Sequence, residues 1–142
     1  MDLSKEIIND LKRKAKQNII NAVAPYSNFY VSSSVLTQNN NIFTGVNIEN
    51  STYNLGICAE RVAIFKALSE GNKNIQAIAI YSPANILIVP CGACRQIIYE
   101  FLTKDGIIIS FNDTNTKLYK IQDLLPDAFS DKFLEKKGVK HE

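Results

Sequence analysis

Leu3, Ile7, Leu11, Ala15, Ile19 and Ala22 recur at three- and four-residue intervals, the spacing that lines apolar side chains along one stripe of an α-helix. That stripe predicts an amphipathic first helix ending before Pro25. After a turn at Pro25-Tyr26-Ser27-Asn28, the stretch Phe29 to Leu36 is rich in strand-forming residues, and Gln38-Asn39-Asn40-Asn41 supplies turn chemistry before an extended pattern resumes from Ile42 to Ile48. The pair reads as an antiparallel hairpin. Cys58 to Ser69 is apolar around most of a helical circumference and is stopped by Gly71, which predicts a helix buried between layers. Ile75 to Tyr81 reads as a central strand. Pro90-Cys91-Gly92 opens a third helix, Gly92 to Leu102, with Gly106 just past its end; Ile107 to Phe111 is a short buried strand and Lys117 to Ile121 an edge strand. Helix, hairpin, helix, strand, helix, strand predicts an α/β fold: a three-layer α/β/α arrangement around a mixed, roughly five-stranded sheet. The tail from Asp127 onward, with Lys136-Lys137-Gly138, is expected to be loosely held.

The 142 residues suit a single domain with a proper core. Apolar and charged contents of 46% and 21% are those of an ordinary folded chain. A net charge of only +2 argues against the concentrated positive field used to bind phosphate backbones, so no nucleic-acid partner is expected. The densest basic run, Lys12 to Lys16, falls on the first helix and reads as its solvated face. No apolar run approaches the roughly 18 residues of a membrane span, and Met1 to Lys5 has no signal-like layout, so neither a membrane nor export is expected and the cytoplasm is.

That compartment sharpens the meaning of the cysteines. There are three, Cys58, Cys91 and Cys94, and an odd number of thiols in a reducing compartment suits metal binding or catalysis better than a disulfide framework. Zinc takes four ligands in structural sites and three in catalytic ones, where the fourth position is left to water. Cys91 and Cys94 share one turn at a helix start and Cys58 heads another helix, so two helix N-termini would aim free amides at one anionic cluster. Three thiolates overcompensate a divalent cation, and Arg61 and Arg95, next to the ligand-bearing turns, are expected to offset the excess by donating hydrogen bonds to the sulfurs. Glu60, two residues after Cys58, would be a dipole-complementing carboxylate on an ordinary helix; beside a metal-activated water it is a general acid/base.

Cys58-Ala59-Glu60 and Pro90-Cys91-Gly92-Ala93-Cys94 match the signature of zinc-dependent deaminases. The chain resembles, more specifically, the small homotetrameric cytidine deaminases, from about Pro25 to Phe129, through the blocks PYSNFYV, FTGVNIENSTYNLGICAERVAIFKA, PCGACRQIIYEF and LLPDAF. The resemblance implies a cytidine-deaminase-like fold and Zn2+ held by Cys58, Cys91 and Cys94. It implies that an activated water attacks C4 of the cytosine ring while Glu60 moves protons to ring N3 and to the departing amine, giving uridine or 2′-deoxyuridine and ammonia, as in pyrimidine salvage. Asn47 and Glu49 match positions that bind the ribose, above all its 3′-hydroxyl; Phe29 matches an aromatic that packs on the nucleoside. The Ala59 amide would address the pyrimidine carbonyl. Phe129 matches an aromatic delivered into a neighbouring subunit, which makes a homotetramer with shared pockets part of the active site. Tyr53 is a further candidate for the pocket wall.

Plainer readings stand beside these. Taken alone, Asn47 and Glu49 would be the solvent-facing edge of a strand, and Phe29 and Phe129 core aromatics. His141, the only histidine, reads as an exposed passenger in the tail. Cys91-Gly92-Ala93-Cys94 also fits a dithiol redox site, which leaves Cys58 and Glu60 without a role. A structural zinc domain would need a fourth ligand. Deaminases acting within polynucleotides fit poorly with a gripped 3′-hydroxyl, whereas a cytosine nucleoside such as blasticidin S remains an alternative substrate. One departure from the family stands out: Ser32-Ser33-Ser34 occupies positions where many relatives have glycine and alanines. These hydroxyls either find local partners or shift the sheet.

Overall fold

A computed structural model describes residues 3–134. Its sheet has five strands in the order β2-β1-β3-β4-β5, where β1 is Ser32–Thr37, β2 Ile42–Val46, β3 Ile75–Tyr81, β4 Leu102–Phe111 and β5 Thr116–Tyr119. The hairpin β1–β2 is antiparallel, β1 pairs antiparallel with the central β3, β3 and β4 run parallel, and β5 returns antiparallel to β4. A parallel pair needs a crossover, and the helix Gly92–Phe101 supplies it. We label the helices α1 (Lys5–Asn18), α2 (Ala59–Ser69), α3 (Gly92–Phe101) and α4 (Ile121–Leu124).

The side-chain period of the strands sorts residues between the two faces. Val35, Ile78, Ile80 and Ile108 pack with Ala59, Ala63, Ile64 and Ile98 of α2 and α3. Their sequence neighbours Leu36, Ala77, Ala79 and Ile109 pack with Leu11 and Ala15 of α1 on the opposite face. The expected three layers result. Small Ala77 and Ala79 let α1 lie close, and Ser34, wholly buried, donates its hydroxyl to the Leu11 carbonyl at 2.7 Å. Ser32 and Ser33 likewise bond to the Gly45 and Ala79 carbonyls, so all three buried hydroxyls are satisfied locally.

Several boundaries differ from the sequence pattern. The apolar stripe runs to Ala22, but α1 ends at Asn18 and tightens into a 3-10 turn, Ile19–Asn21, leaving Ile20 85% exposed. Phe29 to Val31 precede the first strand instead of belonging to it, and β2 stops at Val46. Strand β4 begins at Leu102, directly after α3, with an irregularity that moves its register from Ile75↔Leu102 to Ala77↔Ile107. Gly106 therefore serves that bulge and not a helix end; a Cβ there would lie 2.5 Å from Leu102 Cγ. Ile121 starts α4 instead of ending β5. Lys12 and Lys16 are less idle than a solvated face: Lys12 bonds Thr116 and Lys16 bridges to Asp113 at 2.7 Å. Of the tail, Asp131–Leu134 forms a 3-10 turn; Lys136-Lys137-Gly138 and His141 lie outside the described residues.

Candidate active site

Cys58 is the N-cap of α2, Cys91 the N-cap of α3, and Cys94 sits in the first turn of α3. Neither capping sulfur takes a hydrogen bond from the backbone amides of its own helix, so both are free to face each other. Two features bring the helix starts together. Gly45 on β2 lets α2 approach the sheet, since a Cβ at that position would stand 2.5 Å from the Ala63 amide and 2.6 Å from the Ala59 carbonyl. The segment before α3 is tied to the sheet end by Ser110, which bonds the Ile88 carbonyl, and by Asn112, which bonds that of Ala84 at 3.1 Å.

The three sulfurs lie within 4.8 Å of one another, with Cys58 and Cys91 at 3.8 Å. Thiolates each about 2.3 Å from a tetrahedral ion are themselves about 3.8 Å apart. A cluster of three soft sulfur donors at that spacing fits zinc and leaves a corner open. Among the described residues this is the one such group of potential metal ligands.

The charges are arranged to match. The Cys58 thiol is lowered to about 5, first by the hydrogen bond from Cys94 and then, against burial, by Arg61 and Cys91. The same bond, with burial and the Glu60 carboxylate, pushes Cys94 up, so the first thiolate forms on Cys58. Arg61 Nη2 donates to Cys58 Sγ at 3.5 Å, as expected, and that sulfur raises the guanidinium's own pKa. Its Nε is buried with no hydrogen-bond acceptor among the described residues. Arg95 departs from expectation: its guanidinium donates to the carbonyls of Pro90 (2.7 Å) and Leu124 (2.8 Å) and not to a sulfur. The Leu124 carbonyl ends a short helix and has no helical partner of its own, which makes it a ready acceptor.

Glu60 follows Cys58 into the first turn of α2 and is 4% exposed. Its Oε2 lies 3.9 Å from Cys94 Sγ. Burial raises its carboxyl to about 7, only partly opposed by its own backbone amide and by Arg61. A carboxyl near neutrality can both accept and release a proton.

Cys58, Glu60 and Cys91 stand in the wall of a cavity of about 800 Å³, which Phe29, Asn47, Glu49, Tyr53, Ala59 and Arg61 also line. Asn47 spans the chain before β1: its Oδ1 accepts from the Val31 amide at 2.9 Å and its Nδ2 donates to the Phe29 carbonyl at 2.7 Å. One N–H and one lone pair remain. Glu49 Oε1 accepts from the Tyr26 and Ser27 amides and Oε2 from the Ser27 hydroxyl. Those bonds, the hydroxyl's first, hold its pKa below the usual carboxylate value, and roughly one of its four acceptor sites is left. The Ala59 amide, at the first position of α2, is among the N–H groups that a helix leaves unpaired. Tyr53 is 81% exposed and meets Tyr26 edge-on at 5.9 Å. Phe129 is absent from this cavity's lining and is 57% exposed, stacked on Phe133. Ser27, which anchors Glu49, and Ile88 and Val89, which add apolar wall, were not singled out from the sequence. PYSN carried a signal for Ser27, a hydroxyl in a turn, but its partner lies 22 residues away.

Comparison with known proteins agrees with this geometry. The family described as "Cytidine and deoxycytidylate deaminase zinc-binding region" matches residues 5–110. The chain is 38% identical over 121 residues to a cytidine deaminase of Halalkalibacterium halodurans, covering 84% of this chain and 92% of that one. It is 43% identical over 122 residues to a probable cytidine deaminase of Dictyostelium discoideum, covering 85% and 82%. The crystal structure of cytidine deaminase from Burkholderia pseudomallei superposes with a TM-score of 0.82 at 37% identity, covering 89% of this chain and all of that one. With more than two thirds of its length matched at this level and three thiols poised around a buried carboxyl, the chain belongs to the cytidine and deoxycytidylate deaminase family.

Proposed function

We propose that this protein is a zinc-dependent cytidine deaminase that hydrolyses cytidine and 2′-deoxycytidine to uridine and 2′-deoxyuridine with release of ammonia. The observation that carries this reading is the convergence of Cys58, Cys91 and Cys94 beside the buried carboxyl of Glu60 in the wall of a nucleoside-sized cavity. Zinc, when bound, supplies the Lewis acidity that makes water nucleophilic at neutral pH. The protein's share is to hold the thiolates, move protons and grip the nucleoside. Glu60 takes one proton from water as its oxygen adds to C4 and passes it to ring N3. It then takes the second proton, from the resulting C4 hydroxyl, and delivers it to the exocyclic amine, so that C4=O forms, the C4–N bond breaks and ammonia leaves. Its near-neutral carboxyl suits each of these transfers. Arg61 stabilises the Cys58 thiolate, and Arg95 acts one step further out, fixing the Pro90 carbonyl beside Cys91.

The remaining acceptor site of Glu49 and the remaining N–H of Asn47 address the 3′-hydroxyl, which both nucleosides have. Phe29 packs on the nucleoside and the Ala59 amide meets the pyrimidine carbonyl. Phe129, absent from its own chain's cavity wall and well exposed, completes a neighbour's pocket in a homotetramer. Cytoplasmic pyrimidine salvage suits an enzyme whose three ligand thiols must stay reduced. The dithiol reading accounts for neither Cys58 nor Glu60, and the family membership disfavours it.

Metal analysis combined with a deamination assay tests the proposal. Pure protein should carry one zinc per chain, and cytidine should lose its cytosine absorbance as ammonia appears. A metal-free protein that deaminates cytidine, or a zinc-loaded one that leaves both nucleosides intact, would overturn it.

A further inference from the structure

Gln96 follows Arg95 on α3 and contributes neither to the sulfur cluster nor to the cavity wall. Its Nε2 donates to the Phe129 carbonyl at 2.9 Å, while Arg95 Nη1 donates to the Leu124 carbonyl at 2.8 Å. Consecutive residues of the helix that bears Cys94 thus grip both ends of segment 124–129. The middle of that segment turns sharply. Asp127 has φ 50, directly after Pro126, which brings no N–H. The arch presents the ring of Phe129, whose main chain is fastened while its side chain is 57% exposed and stacks on Phe133 at 5.5 Å. An aromatic tied down through its backbone with its ring in the open is placed to meet another surface, not to fill its own core.

We infer that Gln96 is a positioning residue for the nucleoside pocket of the adjoining subunit, acting through the Phe129 carbonyl. The inference rests on the reading that Phe129 works in trans. One helix then serves two sites: α3 brings Cys91 and Cys94 to its own chain's metal centre and, through Gln96, fixes the aromatic that closes another chain's pocket. Substrate affinity in one pocket consequently depends on a side chain of the neighbour that touches no substrate.

Gln96→Ala should leave zinc content and kcat unchanged and raise KM on the order of fivefold, the effect of one neutral hydrogen bond on binding that is equal in ground and transition states. Gln96→Glu, of the same size but unable to donate, should do the same and guards against a folding defect in the alanine variant. The decisive measurement uses mixed oligomers. Gln96→Ala chains retain Glu60, so assembly with an excess of Glu60→Gln chains, whose Phe129 is properly fastened, should return KM toward the unmodified value. Phe129→Ala chains mixed in the same way serve as the reference. An unchanged KM in both Gln96 variants overturns the inference, as does a defect that persists in mixtures where the Phe129→Ala reference is rescued. If the Phe129→Ala reference itself is not rescued, the trans reading fails and the inference falls with it.

Discussion

Gly45→Ala is the smallest change that should loosen the metal site from outside it. The added Cβ would stand 2.5 Å from the Ala63 amide, 2.6 Å from the Ala59 carbonyl and 2.8 Å from Val62 Cβ, and two of those three atoms are backbone and cannot swing aside. Restoring an ordinary 3.4 Å contact from 2.5 Å requires α2 and β2 to separate by about 0.9 Å. Because Cys58 caps α2 while Cys91 and Cys94 ride on α3, any retreat of α2 alters the two edges of the sulfur triangle that meet at Cys58 and leaves the third, Cys91 to Cys94, intact. Zinc–sulfur distances tolerate only about 0.2 Å. Overpacking of this kind costs about 1–3 kcal/mol, and misdirected ligands lower zinc affinity on the order of tenfold to a hundredfold. The assay is thermal unfolding at fixed protein concentration and excess zinc, together with competition against a chromogenic chelator. A Gly45→Ala protein that melts and holds zinc like the parent would refute the close-approach argument. One that is destabilised yet keeps full zinc affinity would show that β2 yields instead of α2, and would break the proposed link between that glycine and the metal.

Three further outcomes are expected. Glu60→Gln should keep zinc but lose about 10²–10⁴-fold in kcat, the share of a general acid/base; turnover at the parental rate would remove Glu60 from the chemistry. Ser34→Ala deletes a hydroxyl whose acceptor, the Leu11 carbonyl, keeps its place in the α1 ladder, so denaturant titration should register a loss of only about 0.5–1.5 kcal/mol, and a larger loss would mean that the hydroxyl does more than fasten α1. Asp113 is held below its ordinary value of 3.8, first by Lys16 and then by the Tyr81 hydroxyl. A carboxyl with a lowered folded pKa contributes stability above its ordinary value and loses it as the pH falls through the folded one. Asp113→Asn should therefore melt slightly below the parent near neutrality and converge with it in acid below about pH 4; a gap that widens on acidification contradicts the assignment.

Much of this was legible in the linear chain because the period of a helix or strand is a local property. The isoleucine-rich run Ile75 to Tyr81 could hardly be anything but a buried strand, and it occupies the same residues in the structure. Cys58 and the Pro90-Cys91 turn announced two helix starts, and their roles as N-caps follow from backbone geometry within a few residues. The misplaced boundaries are those set by distant packing. Gly106 resembles a helix stop until Leu102 is seen lying against it in a bulge, and the apolar stripe continues to Ala22 although α1 gives way to a 3-10 turn after Asn18.

The amino-acid order alone determined the ligand types, the carboxyl beside them, the layer architecture and the family pattern, since each depends on spacing along one element or on motif. Only the tertiary structure decided what those groups do to one another. Residues 33 positions apart bring their sulfurs to 3.8 Å from each other, burial carries the Glu60 carboxyl to about 7, and Arg95, adjacent to a ligand in the chain, turns to the Pro90 and Leu124 carbonyls instead. Charge, burial and hydrogen-bond partnership are properties of neighbours in space, and for this chain the sulfurs and the carboxyl come together from two successive connections of the sheet, β2 to β3 and β3 to β4.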